Sequence, residues 1–193
     1  MCAIFGIFGL QPGDDLQALR RQSLERSQRQ RHRGPDWSGV YIDNGGGGSG
    51  AIVVHERLAI VDPAGGSQPL LSADGALALA VNGEIYNHVA LKRELAQPYA
   101  FQTESDCEVI NALYRESDAD GSGAAAFLNR LNGIFAFALW DRAKGRAIIA
   151  RDPIGVVPLY WGHDAEGRLR VASEMKSLAD DCADVAQFPP GHW

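Results

Sequence analysis

The sequence predicts a layered α+β domain in which helices cover the outer faces of stacked antiparallel sheets. Three observations lead there. Short strand-like runs separated by Lys-Gly and Glu-Gly turns fill the last third of the chain, β-branched and aromatic runs occupy the first third, and a few helical segments fall at intervals between them. With 193 residues, 46% hydrophobic and 22% charged, the chain can build one sizeable core and is short for two. No internal repeat is visible.

In order, "CAIFGIFGL" is apolar and closed by Gln11-Pro12-Gly13, which predicts a buried strand. Asp14 or Asp15 can cap a helix that carries Leu16, Leu19 and Leu24 on one side, turns its arginines to water and runs to Gly34-Pro35. "WSGVYID" and "AIVVHERLAIVD" predict two strands, joined by a mobile glycine-rich tip, "NGGGGSG". "ALALAVNGEIYNH" begins as a strand, is expected to break at Asn82-Gly83, and offers Asn87 as cap of a helix ended by Pro98. "SDCEVINALYRES" predicts an amphipathic helix capped by Ser105 or Asp106. "GIFAFALWD", "GRAIIARD", "VPLYWGHD" and "GRLRVASE" then read as one antiparallel meander, followed by a short helix from Glu174. The ending "FPPGHW" reads as a linker, so the expected division is a domain over 1–187 and the start of a linker over 188–193.

A net charge of −6 disfavours nucleic-acid and anionic-membrane partners. Cys2, Cys107 and Cys182 form neither an even disulfide framework nor paired zinc spacing, which fits a reducing cytoplasm. The apolar start lacks the basic flank of a secretory signal, and no apolar run approaches the ~18 residues that span a bilayer. A soluble cytoplasmic protein is expected.

Few residues carry a chemical signal on their own. Five histidines share no ligand spacing, the glycine run lacks the Lys-Ser/Thr of a phosphate loop, and no Gly-x-Ser-x-Gly elbow occurs. The "RQRHR" cluster reads as a solvated face at a helix end. Cys2 is different. Trimming of Met1 before a small residue would leave a thiol and a free α-amine on one residue, and an amine of pKa about 8 can act as base for a thiol of pKa about 8.5. The other reading of Cys2 is a small hydrophobe entering a buried strand.

The segments "MCAIFGIFG", "RHRGPDWSG", "HERLAIVD", "AVNGEIYNH", "SDCEVI", "RDPIGVVPLYWG" and "VASEMKSL", in this order over nearly the whole chain, resemble the glutaminase domain of glutamine-hydrolysing asparagine synthetases. The resemblance implies a class II glutamine amidotransferase domain with the four-layer αββα N-terminal nucleophile hydrolase fold. It implies Cys2 as nucleophile, with its α-amine as proton shuttle, and Asn82 and Gly83 as the oxyanion hole. It further implies Arg57 on the substrate carboxylate, Glu84 and Asp106 on its ammonium, and the backbone of Leu58, Ala59, Ile60 and Val61 lining the pocket. The implied substrate is L-glutamine and the implied partner an asparagine synthetase domain in the same or a separate chain, with self-association into a homodimer also expected. No cofactor is expected for this domain, and ATP and magnesium only for the synthetase domain. Other amidotransferases, or a catalytically silent interaction domain, are the alternatives. Ala3 stands where many members carry glycine, the glycine run is longer than the usual hairpin, and no Ser-Gly-Gly-x-Asp-Ser pyrophosphate loop is present.

Overall fold

The computed structural model describes residues 1–60, 62 and 65–193. Ten strands, β1 (Ala3–Leu10), β2 (Trp37–Asp43), β3 (Gly50–Arg57), β4 (Leu70–Leu71), β5 (Leu77–Ile85), β6 (Gly133–Asp141), β7 (Arg146–Arg151), β8 (Tyr160–His163), β9 (Leu169–Ala172) and β10 (Ala186–Gln187), form two antiparallel sheets. One sheet has the order β10-β8-β9-β1-β3-β2 and the other β4-β5-β6-β7. Four α-helices, α1 (Leu16–Gln28), α2 (His88–Glu94), α3 (Val109–Ala119) and α4 (Ala124–Leu128), complete it.

The period-two alternation of the strands sorts their side chains into three apolar layers. On β1, Phe5 and Ile7 meet Leu19 of α1 on the outer face, while Ile4 and Phe8 face the second sheet. On β5 and β6, Leu79, Val81, Phe135, Phe137 and Leu139 pack against Val109, Ile110 and Leu113 of α3 and Phe127 of α4. Between the sheets lie Ala78, Ala80, Ala136 and Ala138, small residues that let the sheets approach, with Trp140 filling the remaining space. The indole N–H of Trp140 donates to Asp43 Oδ2 at 2.8 Å, so this buried polar atom is satisfied. Helix, sheet, sheet and helix stack as the resemblance implies.

Several local expectations are corrected. The four-strand meander is two hairpins: β6–β7 belongs to one sheet and β8–β9 to the other, the chain crossing between sheets at 152–159. Asp152 makes that crossing, its buried carboxylate accepting from the backbone N–H groups of Phe135, Ile154, Gly155, Val156 and Val157. β5 does not break at Asn82-Gly83 but pairs with β6 through Ile85. β3 ends at Arg57, so Leu58, Ala59, Ile60 and Asp62 are not strand, and Val61 lies outside the described residues. α1 stops at Gln28, with Asp15 as its cap. Arg26 and Arg33 are not solvated: their side chains are 16% and 13% exposed and pair with Asp181 and Glu174. Asn87 sits at the start of α2 without capping it, bonding instead to Arg130 O and Asn132 N. The glycine-rich tip closes in a 3-10 turn over Gly45–Gly47. At the end of the chain, Phe188 O accepts from Arg151 and Gly191 N donates to Asp152 O. No described helix is long and apolar enough to cross a membrane.

Candidate active site

The same alternation that builds the inter-sheet layer aims polar side chains at one of its ends. Cys2 lies one step before Ala3, which is opposite Glu56, so it stands beside the end of β3. Continuing the inter-sheet face from Val53 brings His55 and Arg57, and continuing it from Ala80 brings Asn82 and Glu84. A cavity of about 140 Å³ opens there, lined among others by Cys2, Arg57, Asn82, Gly83, Glu84 and Asp106. Sequence separations of up to 104 residues, from Cys2 to Asp106, are closed by the packing of one sheet on the other and by the bond of Asp106 to β5.

The Cys2 thiol faces the backbone of Leu58, whose N–H donates to Sγ at 3.3 Å and whose O lies 3.6 Å from it. Burial pushes this thiol above its ordinary value; the Leu58 N–H, the terminal amine, Arg57 and Arg33 pull the other way without overcoming it. The resting sulfur is therefore protonated at neutral pH and needs a base. Arg33 donates to Cys2 O at 3.1 Å and is braced by Glu174 at 3.2 Å. Its turn fits because Gly34 has no side chain: a Cβ there would lie 2.2 Å from Glu56 O. Arg33 was hidden inside a basic cluster, and only the contact reveals its use.

Asn82 is 1% exposed, and its Nδ2 makes no hydrogen bond among the described residues. An unmade bond at a buried amide is costly, on the order of 1–3 kcal/mol. Gly83 follows with φ 146°, and a Cβ on it would sit 2.1 Å from Ile134 O and 2.6 Å from Phe135 Cα. Only glycine fits. Gly83→Ala is expected to cost about 2 to 6 kcal/mol, from positive φ and overpacking together. Urea denaturation checks this, and an unchanged midpoint would mean that β5 and β6 are not so close.

Arg57 is buried and donates through Nη2 to Asp62 O at 2.5 Å. A surface pair with Glu56 is excluded, because Glu56 is also buried, its carboxylate accepting from Ser27 at 2.8 Å and Ser38 at 2.5 Å. Asp106 is not the helix cap. Ser105 Oγ takes that place, accepting from Cys107 N, while Asp106 Oδ2 accepts from Ile85 N at 2.6 Å and so ties itself to β5. Glu84 is exposed at the cavity. Leu58 and Ile60 line it, whereas Ala59 does not, its N–H being held by Asp36 Oδ2 at 2.8 Å. Gln68, Ser105, Cys107, Ile134 and Val157 line it as well, and nothing in the sequence marked them as pocket residues.

His55 is wholly buried, with Nε2 2.9 Å from Val81 O. Burial, and secondarily Arg57, lower its pKa from 6.5 to about 4, against the opposing effect of the Val81 bond. Below pH 6.5 the unfolded chain takes up a proton that the folded chain refuses. His55 therefore contributes stability that is complete above about pH 6.5 and is lost as pH falls to about 4, at about 1.4 kcal/mol per pH unit within that window. His55→Gln should shrink the fall in Tm between about pH 7 and pH 4.5; an equal fall would assign the acid sensitivity to other groups. Among the described residues no cluster of three or more His, Cys, Asp or Glu is placed to hold a metal ion.

Residues 1–189 match the glutamine amidotransferase domain family. The chain belongs to that family. As such a domain it is 49% identical over 193 residues to asparagine synthetase B [glutamine-hydrolyzing] of Escherichia coli and 47% identical over 193 residues to asparagine synthetase [glutamine-hydrolyzing] 1 of Arabidopsis thaliana, covering 100% of this chain and 32% and 31% of those proteins. The domain thus spans about a third of the length of the curated relatives it matches. Among solved structures, an allosteric regulatory enzyme of purine biosynthesis matches with a TM-score of 0.74 at 26% identity, over 98% of this chain and 45% of that one. The glutamine phosphoribosylpyrophosphate amidotransferase of B. subtilis matches with a TM-score of 0.70 at 24% identity, over 98% and 46%. The glutamine amidotransferase domain has the N-terminal nucleophile hydrolase fold.

Proposed function

We propose that this domain hydrolyses L-glutamine to L-glutamate and ammonia, and that the ammonia serves a synthetase domain in ATP-dependent conversion of aspartate to asparagine. The observation that carries the reading is the buried Asn82 Nδ2, without a partner among the described residues and lining the same cavity as the Cys2 thiol. A donor held without a partner beside a nucleophile is what a developing oxyanion requires.

With Met1 removed, the α-amine of Cys2 takes the thiol proton and the sulfur attacks the side-chain amide carbon. The carbonyl oxygen becomes an oxyanion facing Asn82 Nδ2 and the Gly83 N–H. Its collapse expels ammonia, which leaves with the shuttled proton, and a thioester to Cys2 remains. Water then attacks the thioester, glutamate departs and the thiol is restored. Arg57 offers its planar fork of donors to the substrate carboxylate, and Asp106 and Glu84 offer negative charge to its ammonium. Hydrolysis through a thioester needs neither ATP nor magnesium; both belong to the synthetase step.

The direct test supplies the processed chain with glutamine alone and then with glutamine, aspartate, ATP and magnesium. Ammonia and glutamate are expected one to one, at a rate independent of ATP. Asparagine made by these 193 residues would overturn the division of labour, and no ammonia would overturn the hydrolysis itself. Arg57→Ala is expected to raise KM roughly 10- to 100-fold with a smaller change in kcat, since a charge-assisted hydrogen bond contributes about 1.5–3 kcal/mol. Steady-state kinetics with an unchanged KM would take Arg57 off the substrate.

A further inference from the structure

β5 outruns its neighbour. β4 pairs only Leu70 with Leu79 and Leu71 with Ala78, and the side of β5 that faces it presents the backbone groups of Leu77, Leu79 and Val81. Leu77 is satisfied there by Ser72, whose N–H donates to Leu77 O at 3.1 Å and whose Oγ accepts from Leu77 N at 3.0 Å. At Val81 the adjoining strand has ended, and two side chains replace it. Val81 N donates to Gln68 Oε1 at 2.8 Å, and Val81 O accepts from His55 Nε2 at 2.9 Å. A carbonyl only accepts, so Nε2 carries the proton and His55 is the neutral Nε2–H tautomer. Its Nδ1 has no partner among the described residues. Strand pairing with β6 secures the other edge of β5.

The clamped peptide precedes Asn82. We propose that His55 and Gln68 are positioning residues that hold the Val81 peptide and so aim Asn82 Nδ2 at the reacting carbonyl. This rests on reading Asn82 as the oxyanion donor. His55 reaches Val81 from β3, the strand that ends in Arg57, so one bond also sets the spacing between the group assigned to the substrate carboxylate and the group assigned to the oxyanion. Burial of His55 makes the bond costly to break, because both partners would be left unsatisfied away from water. Gln68 lies at the cavity wall, where its loss disturbs the core less.

The test is steady-state glutamine hydrolysis by the processed chain and by His55→Leu, His55→Gln, Gln68→Met, Asn82→Ala and the double variant His55→Leu/Asn82→Ala, each checked for native circular dichroism. His55→Leu and Gln68→Met should lower kcat by roughly 10- to 100-fold, as a displacement of about 1 Å at a reacting centre does, with KM within about twofold. His55→Gln, which keeps an amide donor, should recover most of the loss. The double variant should be no slower than Asn82→Ala alone, because a residue acting through another adds nothing once that other is gone. Multiplicative losses, or full kcat in both His55→Leu and Gln68→Met while Asn82→Ala is slow, would overturn the clamp and leave the functional reading standing. If His55→Leu does not fold, Gln68→Met and its double with Asn82→Ala decide the matter by the same criteria. A parent chain without glutamine hydrolysis, or one indifferent to Asn82→Ala, would overturn the underlying reading and the clamp with it.

Discussion

Cys2→Ala is expected to remove glutamine hydrolysis, lowering kcat by about 10⁴-fold or more, the scale on which loss of a nucleophile acts. Among the described residues lining the cavity, nothing else can replace it. Cys107 lies on the cavity wall, but it is fully buried beside Asp106, and both push its thiol well above the ordinary value. Glutamine binding should survive in part, because Arg57, Asp106 and Glu84 are untouched. The same loss is expected when Met1 is retained. Met1 lines the cavity and is 58% exposed, and while it is attached the amine belongs to the wrong residue. With burial holding the thiol protonated, an amine carried by Met1 pulls the thiol's pKa down without overcoming that burial, and Cys2 lacks an amine of its own to serve as base. Intact-mass measurement paired with ammonia release checks both arms. A chain that keeps Met1 and turns over at the processed rate would exclude the α-amine as shuttle, and an active Cys2→Ala would exclude the thioester.

Asn82→Ala is expected to lower kcat by roughly 10² to 10³ with little change in KM, as removal of one oxyanion donor does. That is about 2.7–4 kcal/mol of transition-state stabilisation. The expectation is specific to the transition state, since Nδ2 has no partner among the described residues to lose and so has little role in holding the fold. Stability should accordingly change less than activity, whereas Gly83→Ala one residue later is expected to cost stability as well. Kinetics and a denaturation midpoint on the two variants separate the roles. Equal kcat for Asn82→Ala and the parent would remove Asn82 from the mechanism.

By itself the sequence determined the layered class and which residue types could do chemistry. Alternation along "CAIFGIFGL" and "ALALAV" sorts side chains to two faces within a few residues, and the N-terminal thiol and the Asn-Gly pair are local features. Ser105 as a cap and the hairpin from Trp37 to Arg57 were legible for the same reason. Only the tertiary structure decided that the hairpins β6–β7 and β8–β9 go to different sheets, because turn chemistry specifies a reversal and not the sheet it joins. Only it decided that β5 passes intact through Gly83, since the strand is held open by β6, not by its own propensity. The support of the site was invisible in the same way. Arg33 reaches Cys2 across 31 residues, His55 reaches Val81 across 26 and Gln68 reaches it across 13. Local pattern limits what a residue can offer, but the partner of a buried polar group is chosen by the chain that folding brings beside it.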